Sequence, residues 1–135
     1  MNEKTIILNV EGKEIPVSMR YCLATETGFE RMSGKSSSVF SPKVERNGDE
    51  LKIIEPPKAT FEDYIALAMA GIIAAYSRKK EAEPVSMEQI LYDIQPQSAE
   101  LLIKTINELR NDWYKVPEVV ASEEQPEEGT EEKNA

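Results

Sequence analysis

The sequence predicts an α+β fold dominated by helices: an N-terminal β-hairpin packed on about four helices, with a disordered acidic C-terminal tail. Three observations carry this. Apolar and polar residues alternate on either side of Glu11-Gly12, the pattern of two half-buried strands joined by a tight turn. Later segments carry apolar residues at helical spacing, most clearly Thr60–Tyr76. Residues 118–135 hold seven acidic residues, one Lys and few large apolar groups, too little to offset the entropy of ordering them. One domain over residues 1–117 is therefore expected, with a flexible or hairpin insertion over about 36–58.

In the hairpin, Ile6, Leu8 and Val10 alternate on one strand and Ile15, Val17 and Met19 on the next. Gly12 accepts the positive φ of a tight turn. Pro16 cannot donate to a ladder, so the second strand is expected at an edge or bulged. Tyr21–Ser33 follows as a helix closed by Gly34, with Cys22, Thr25, Phe29 and Met32 on one face. Gly28 inside it costs about 1 kcal/mol relative to Ala, so a closely packed neighbour or a distortion is expected there. Over Ser36–Lys58, the Ser run and Pro42 mark a loop. Asn47-Gly48-Asp49 is a turn signal between two short apolar stretches, which allows a second hairpin.

The central helix spans Thr60–Tyr76. Phe61, Ile65, Ala68, Ile72 and Tyr76 share one face, and Ala66, Ala70 and Ala74 line another beside Leu67 and Ile73. A helix apolar all round is a membrane span or the centre of a domain. This run falls short of the roughly 20 residues a span needs, and Glu62 and Asp63 sit in its first turn. It is expected to be the buried centre. Arg78-Lys79-Lys80 then complements the helix dipole. Ser86 and Gln89 form a capping-box pattern for a short helix from Met87 to about Asp93. Pro96 opens a last helix to Tyr114, striped by Leu102, Ile106, Leu109 and Trp113.

Charge and composition exclude several function classes. The net charge is −9, most of it in residues 118–135, and no basic surface for nucleic acid is expected. The sequence has no His, which removes the usual general base and the commonest nitrogen metal ligand. A single cysteine, Cys22, allows neither an internal disulfide nor a cysteine pair for zinc. No phosphate-cradling loop is present. The carboxylate pairs Glu62-Asp63 and Asp49-Glu50 are adjacent in sequence and read as solvated charges. No catalytic, cofactor-binding or metal-binding residue is therefore assigned, and interaction is the expected mode of action. The candidate partner-binding residues are Ala66, Ala70 and Ala74, whose face admits a close helix, and Tyr76, Tyr92 and Tyr114, which lie near helix ends.

The order of elements resembles a known family. A hairpin leads into a helix ending Met32-Ser-Gly-Lys35. The acidic-aromatic start Phe61-Glu-Asp-Tyr64 opens an Ala-rich helix carrying Ala68-Met-Ala-Gly-Ile-Ile-Ala-Ala-Tyr76, and a short Ser-Met-Glu-Gln-Ile-Leu helix and a final amphipathic helix follow. This resembles the tail assembly chaperones of long-tailed phages and prophages over residues 4–115, apart from a longer and more polar Ser36–Lys58. The resemblance implies a non-catalytic protein of the host cytoplasm, absent from the finished virion. It implies binding to the tail tape measure protein, with assistance to the tail tube protein around it. Self-association through the Ala face is a further expectation. Other readings stay open on the residues alone: an acidic inhibitor mimicking nucleic acid or another small cytoplasmic interaction or adaptor protein, and a small enzyme using Asp or Tyr. Neither a nucleic-acid partner nor a membrane is expected, and the N-terminus lacks a signal-peptide layout.

Overall fold

The computed structural model describes residues 2–115. The element order is β1 (Glu3–Val10), β2 (Lys13–Arg20), α1 (Leu23–Ser33), a 3-10 turn (Ser37–Phe40), β3 (Lys43–Asn47), β4 (Glu50–Glu55), α2 (Phe61–Lys79), α3 (Met87–Tyr92) and α4 (Pro96–Tyr114). The expected class holds, an α+β fold dominated by helices with an N-terminal hairpin. The acidic segment 118–135 expected to be disordered lies outside the described residues.

β1 and β2 pair antiparallel without a register shift, with Leu8 opposite Ile15 and Ile6 opposite Val17. Glu11 and Gly12 have φ of 53° and 81°, so both central turn residues are left-handed, the turn whose twist matches a right-handed hairpin. Bonded and non-bonded pairs alternate from the closing pair Val10–Lys13, which makes Ile7–Pro16 a non-bonded pair. Pro16 therefore sits in a regular ladder and needs no bulge, because its missing N–H would have pointed away from β1. Several of the outward groups are used. The Ser18 N–H donates to Tyr76 Oη at 3.0 Å and the Asn9 N–H to Ser98 Oγ at 2.8 Å. The Gln95 N–H donates to Asn9 O and the Glu11 N–H to Asp93 O, both at 3.1 Å. The segment between α3 and α4 thus covers the end of the β1 edge, and α2 covers part of the β2 edge.

α2 runs through the middle, packed by α1, β2 and α4. Ile65, Leu67, Ala68, Ile72 and Ala75 are buried on it, and Leu8, Val17, Met19, Phe29, Leu102, Ile106 and Leu109 close around them. Its start is a reciprocal cap: the Asp63 N–H donates to Thr60 Oγ1 at 3.2 Å and the Thr60 N–H to Asp63 Oδ2 at 2.9 Å. α3 repeats the device with Ser86 and Gln89. Among the described residues no helix is long and apolar enough to cross a membrane.

Three expectations are corrected. The first helix begins at Leu23, not Tyr21. Tyr21 is fully buried ahead of it, and the Thr25 hydroxyl accepts from the Cys22 N–H and donates to Arg20 O, which sets the helix start two residues later. Met32 does not share the buried face of Phe29, and Phe61 is 62% exposed although its stripe-mates Ile65, Ala68 and Ile72 are buried. Phe61 is the first helical residue and projects past the elements that cover the rest of that face.

The stretch 36–58 forms the second hairpin. Its root is fixed: Phe40 is buried with its ring 4.8 Å from that of Phe29 and 5.1 Å from that of Tyr64. Val39 O accepts the N–H groups of Lys58 and Ala59, each at 3.0 Å. Beyond that root, β3 and β4 stand away from the body, with every residue from Lys43 to Ile54 exposed.

Candidate functional site

The three alanines of α2 point at α1. Ala66, Ala70 and Ala74 are 7%, 2% and 7% exposed, so the face is closed inside the chain rather than left open. Small residues on both sides permit this. A Cβ added to Gly28 would lie 3.5 Å from Ala70 Cβ, an ordinary contact, so Gly28 packs beside Ala70 within a regular helix and is not a distortion.

The two helices do not seal over their full length. A hollow of about 240 Å³ runs beside the contact, with Ala24, Gly28, Ala70 and Ala74 inside and Arg31, Met32 and Ile73 at its border. A second hollow of about 370 Å³ continues towards the start of α2, bounded by Lys35, Glu62, Asp63, Ala66 and Met87. Met32 borders both, and it is exposed, as is Ile73. The two hollows share Met32 and together follow α1 and α2 as a shallow groove, largely apolar in its first half and lined by Ser33, Lys35, Glu62 and Asp63 in its second.

That charged end is well ordered. Lys35 Nζ lies 3.1 Å from each oxygen of the buried Asp63 carboxylate. Burial pushes the Asp63 carboxyl up, but the Thr60 N–H and the Lys35 ammonium outweigh it and hold the group below the usual carboxylate range.

The three tyrosines lie elsewhere and apart. Tyr76 is half-buried, its hydroxyl accepting from Ser18 and its ring lying 5.3 Å from Lys79 Nζ, while Lys79 also reaches Glu3 at 3.5 Å. Tyr92 is 80% exposed at the end of α3. Tyr114 is exposed, stacked under the Arg110 guanidinium at 4.9 Å, and donates to Glu26 Oε2. Tyr21 donates to the same oxygen at 2.9 Å. Burial and this bond push the Tyr21 phenol well above its ordinary value, and the bond to Glu26 with burial raises that of Tyr114. Tyr114 thus ties α4 to α1, a structural task. The six candidates do not form one surface: the alanines share the groove, and the tyrosines do not reach it.

Sequence reasoning missed Met32, Arg31, Ala24 and Ile73. One signal was available, the spacing of Ala24 and Gly28 on α1, four apart like the alanines of α2. Cys22 is half-buried; burial pushes its thiol up, but hydrogen bonds from Thr25 outweigh this and hold it below the ordinary value. Among the described residues no three His, Cys, Asp or Glu side chains cluster as a metal site.

No protein-family pattern, curated protein or solved structure matches the chain. The groove has to be interpreted by its own chemistry.

Proposed function

We propose that this protein is a non-enzymatic tail assembly chaperone of a phage or prophage, acting in the host cytoplasm. It holds a helical segment of the tape measure protein and assists the tail tube protein in assembling around it. The observation that carries the reading is the groove between α1 and α2, largely apolar beside Ala70 and Ala74. From Ala66 to Ser77 it follows α2 for about 17 Å, or three helical turns. An amphipathic helix laid there would set its apolar side chains against Met32 and Ile73, with its backbone brought close by the small residues beneath. The sulfur-bearing, unbranched Met32 can repack against different side chains, which suits a client that is long and offers many similar helical stretches. The acidic residues of 118–135 add repulsion between like-charged copies, which favours a soluble complex.

The order of elements from hairpin to final amphipathic helix supports the same reading by resemblance. Co-expression with the tape measure protein encoded nearby is the test. The expected result is a soluble complex recovered from lysate where the tape measure protein alone sediments. Unchanged solubility of that protein overturns the proposal. In the genome, a major tail protein upstream and a very long helix-rich frame downstream are expected.

A further inference from the structure

The β3–β4 arm leaves one largely apolar face uncovered by any described element. Val44 pairs with Ile53 and Arg46 with Leu51, so Val44, Leu51 and Ile53 lie on the same side, with Arg46 at the tip end of that side. Each is about half exposed, at 46%, 48% and 50%. An isolated two-stranded hairpin is marginal in water, and this one also carries an apolar face that its own body does not cover. Its mounting is nonetheless firm, through buried Phe40 and the two bonds to Val39 O.

The charges along the arm indicate what covers it. At the tip, Arg46, Asp49 and Glu50 leave a net negative end, and Gly48 with φ of 68° forms the turn. At the root, Lys43, Glu55 and Lys58 leave a net positive end, even with Lys58 3.8 Å from Glu55. A notch of about 340 Å³ opens there, with Val39, Pro42, Pro56, Lys43, Glu55 and Lys58 around it, two cations to one carboxylate. An arm with an apolar middle and ends of opposite sign is complementary to itself when turned end for end. That is the condition for an isologous two-fold contact, in which each residue pair occurs twice.

We infer that the β3–β4 arm joins two copies of this chain. The arms lie antiparallel with Val44, Leu51 and Ile53 of both copies together. The Asp49–Glu50 turn of each copy then sits at the Lys43–Lys58 notch of the other. This use of the arm is separate from the groove between α1 and α2 and does not rest on the chaperone reading. The arm is short, about 13 Å from Lys43 to Asn47, so the contact belongs to the small, reversible class rather than the obligate one.

Sedimentation of the full chain over a concentration series tests this. The mass of the wild type is expected to rise from 15.2 kDa towards twice that value. Leu51→Glu combined with Ile53→Glu is expected to hold it at the monomer value at every concentration, with the helical circular dichroism unchanged, since the arm lies outside the core. Two charge-reversed chains give a stricter test: Lys43→Glu with Lys58→Glu, and Asp49→Lys with Glu50→Lys. Each alone is expected to stay monomeric, because its tip and root then repel, and an equimolar mixture is expected to dimerise. A wild type that stays monomeric overturns the proposal, as cover by the chain's own residues 116–135 or by another protein would produce. So does a dimer unaffected by the Leu51 and Ile53 changes, self-association of either charge-reversed chain, or a mixture that stays monomeric.

Discussion

Gly28 and Gly71 lie on neighbouring helices and face opposite amounts of room. A Cβ on Gly28 would meet Ala70 Cβ at 3.5 Å, whereas one on Gly71 would lie 2.9 Å from Ile106 Cδ1 and 3.2 Å from the Arg20 carbonyl oxygen. The first is an ordinary contact. The second presses on a movable methyl group and on backbone, and the backbone of β2 is held by its ladder. Helix propensity favours Ala by about 1 kcal/mol at both positions, so the packing decides. Gly28→Ala is expected to stabilise the fold by up to ~1 kcal/mol. Gly71→Ala is expected to destabilise it by about 1–3 kcal/mol. Urea unfolding of the two variants checks both signs.

Asp63 makes stability fall in acid. Its folded carboxyl is held below the usual range, so its contribution is complete above the unfolded value of about 3.9 and disappears as pH falls through the folded value. The stability of the wild type is expected to drop in that acid window. Asp63→Asn keeps an oxygen for the Thr60 N–H but removes the charge that faces Lys35. It is expected to be less stable than the wild type at neutral pH and to converge with it in acid. Thr60→Ala, which removes the other half of the cap, is expected to cost about 1 kcal/mol. Unfolding midpoints measured at several pH values separate the two.

On the alkaline side, burial of Tyr21 acts together with Glu26, whose Oε2 accepts from both Tyr21 and Tyr114. Both phenols are raised. Their contribution is therefore complete below the unfolded value of ~10 and is lost as pH rises through the folded values. Glu26→Gln removes the negative charge that opposes phenolate formation. It is expected to shift part of the phenolate absorbance change to lower pH and to move alkaline unfolding in the same direction. A titration curve that matches the wild type in both respects refutes the role of Glu26.

Much of this fold was legible because its punctuation is local. Glu11-Gly12, Ser86 with Gln89, and Pro96 set element boundaries through bonds or dihedrals involving only a few residues, and each sits where the spacing placed it. What periodicity could not reveal is which apolar residues the rest of the chain covers. Met32 and Phe61 fit helical stripes yet are exposed, and Val44, Leu51 and Ile53 fit buried strands yet stand in the open. Cover is a long-range property. It depends on where α1 crosses α2 and where the root of the arm leaves the body, and no short window contains either. The candidate site was half legible for the same reason: the Ala66, Ala70 and Ala74 stripe was visible, but the hollow beside it exists only once Gly28 and Met32 arrive from another helix.

Because Ala70 is closed against α1, a charge there would disrupt the fold and say nothing of binding. The border residues separate the two. Met32 and Ile73 line the hollow and lie outside the fully buried core, so Met32→Glu and Ile73→Glu are expected to leave the chain folded, at a cost of about 1–2 kcal/mol for the partly buried Ile73. A helix seated between them would have to desolvate the new carboxylate, at a cost of about 1–3 kcal/mol or more. The double variant is therefore expected to remain folded and to lose at least tenfold in affinity for a tape measure segment, which corresponds to ~1.4 kcal/mol. Tyr92→Ala serves as the contrast, since Tyr92 is exposed and lines neither hollow, and its binding is expected to match the wild type. Equal loss in both variants would move the binding surface away from α1 and α2. Full binding by the Met32 and Ile73 double variant would exclude the groove.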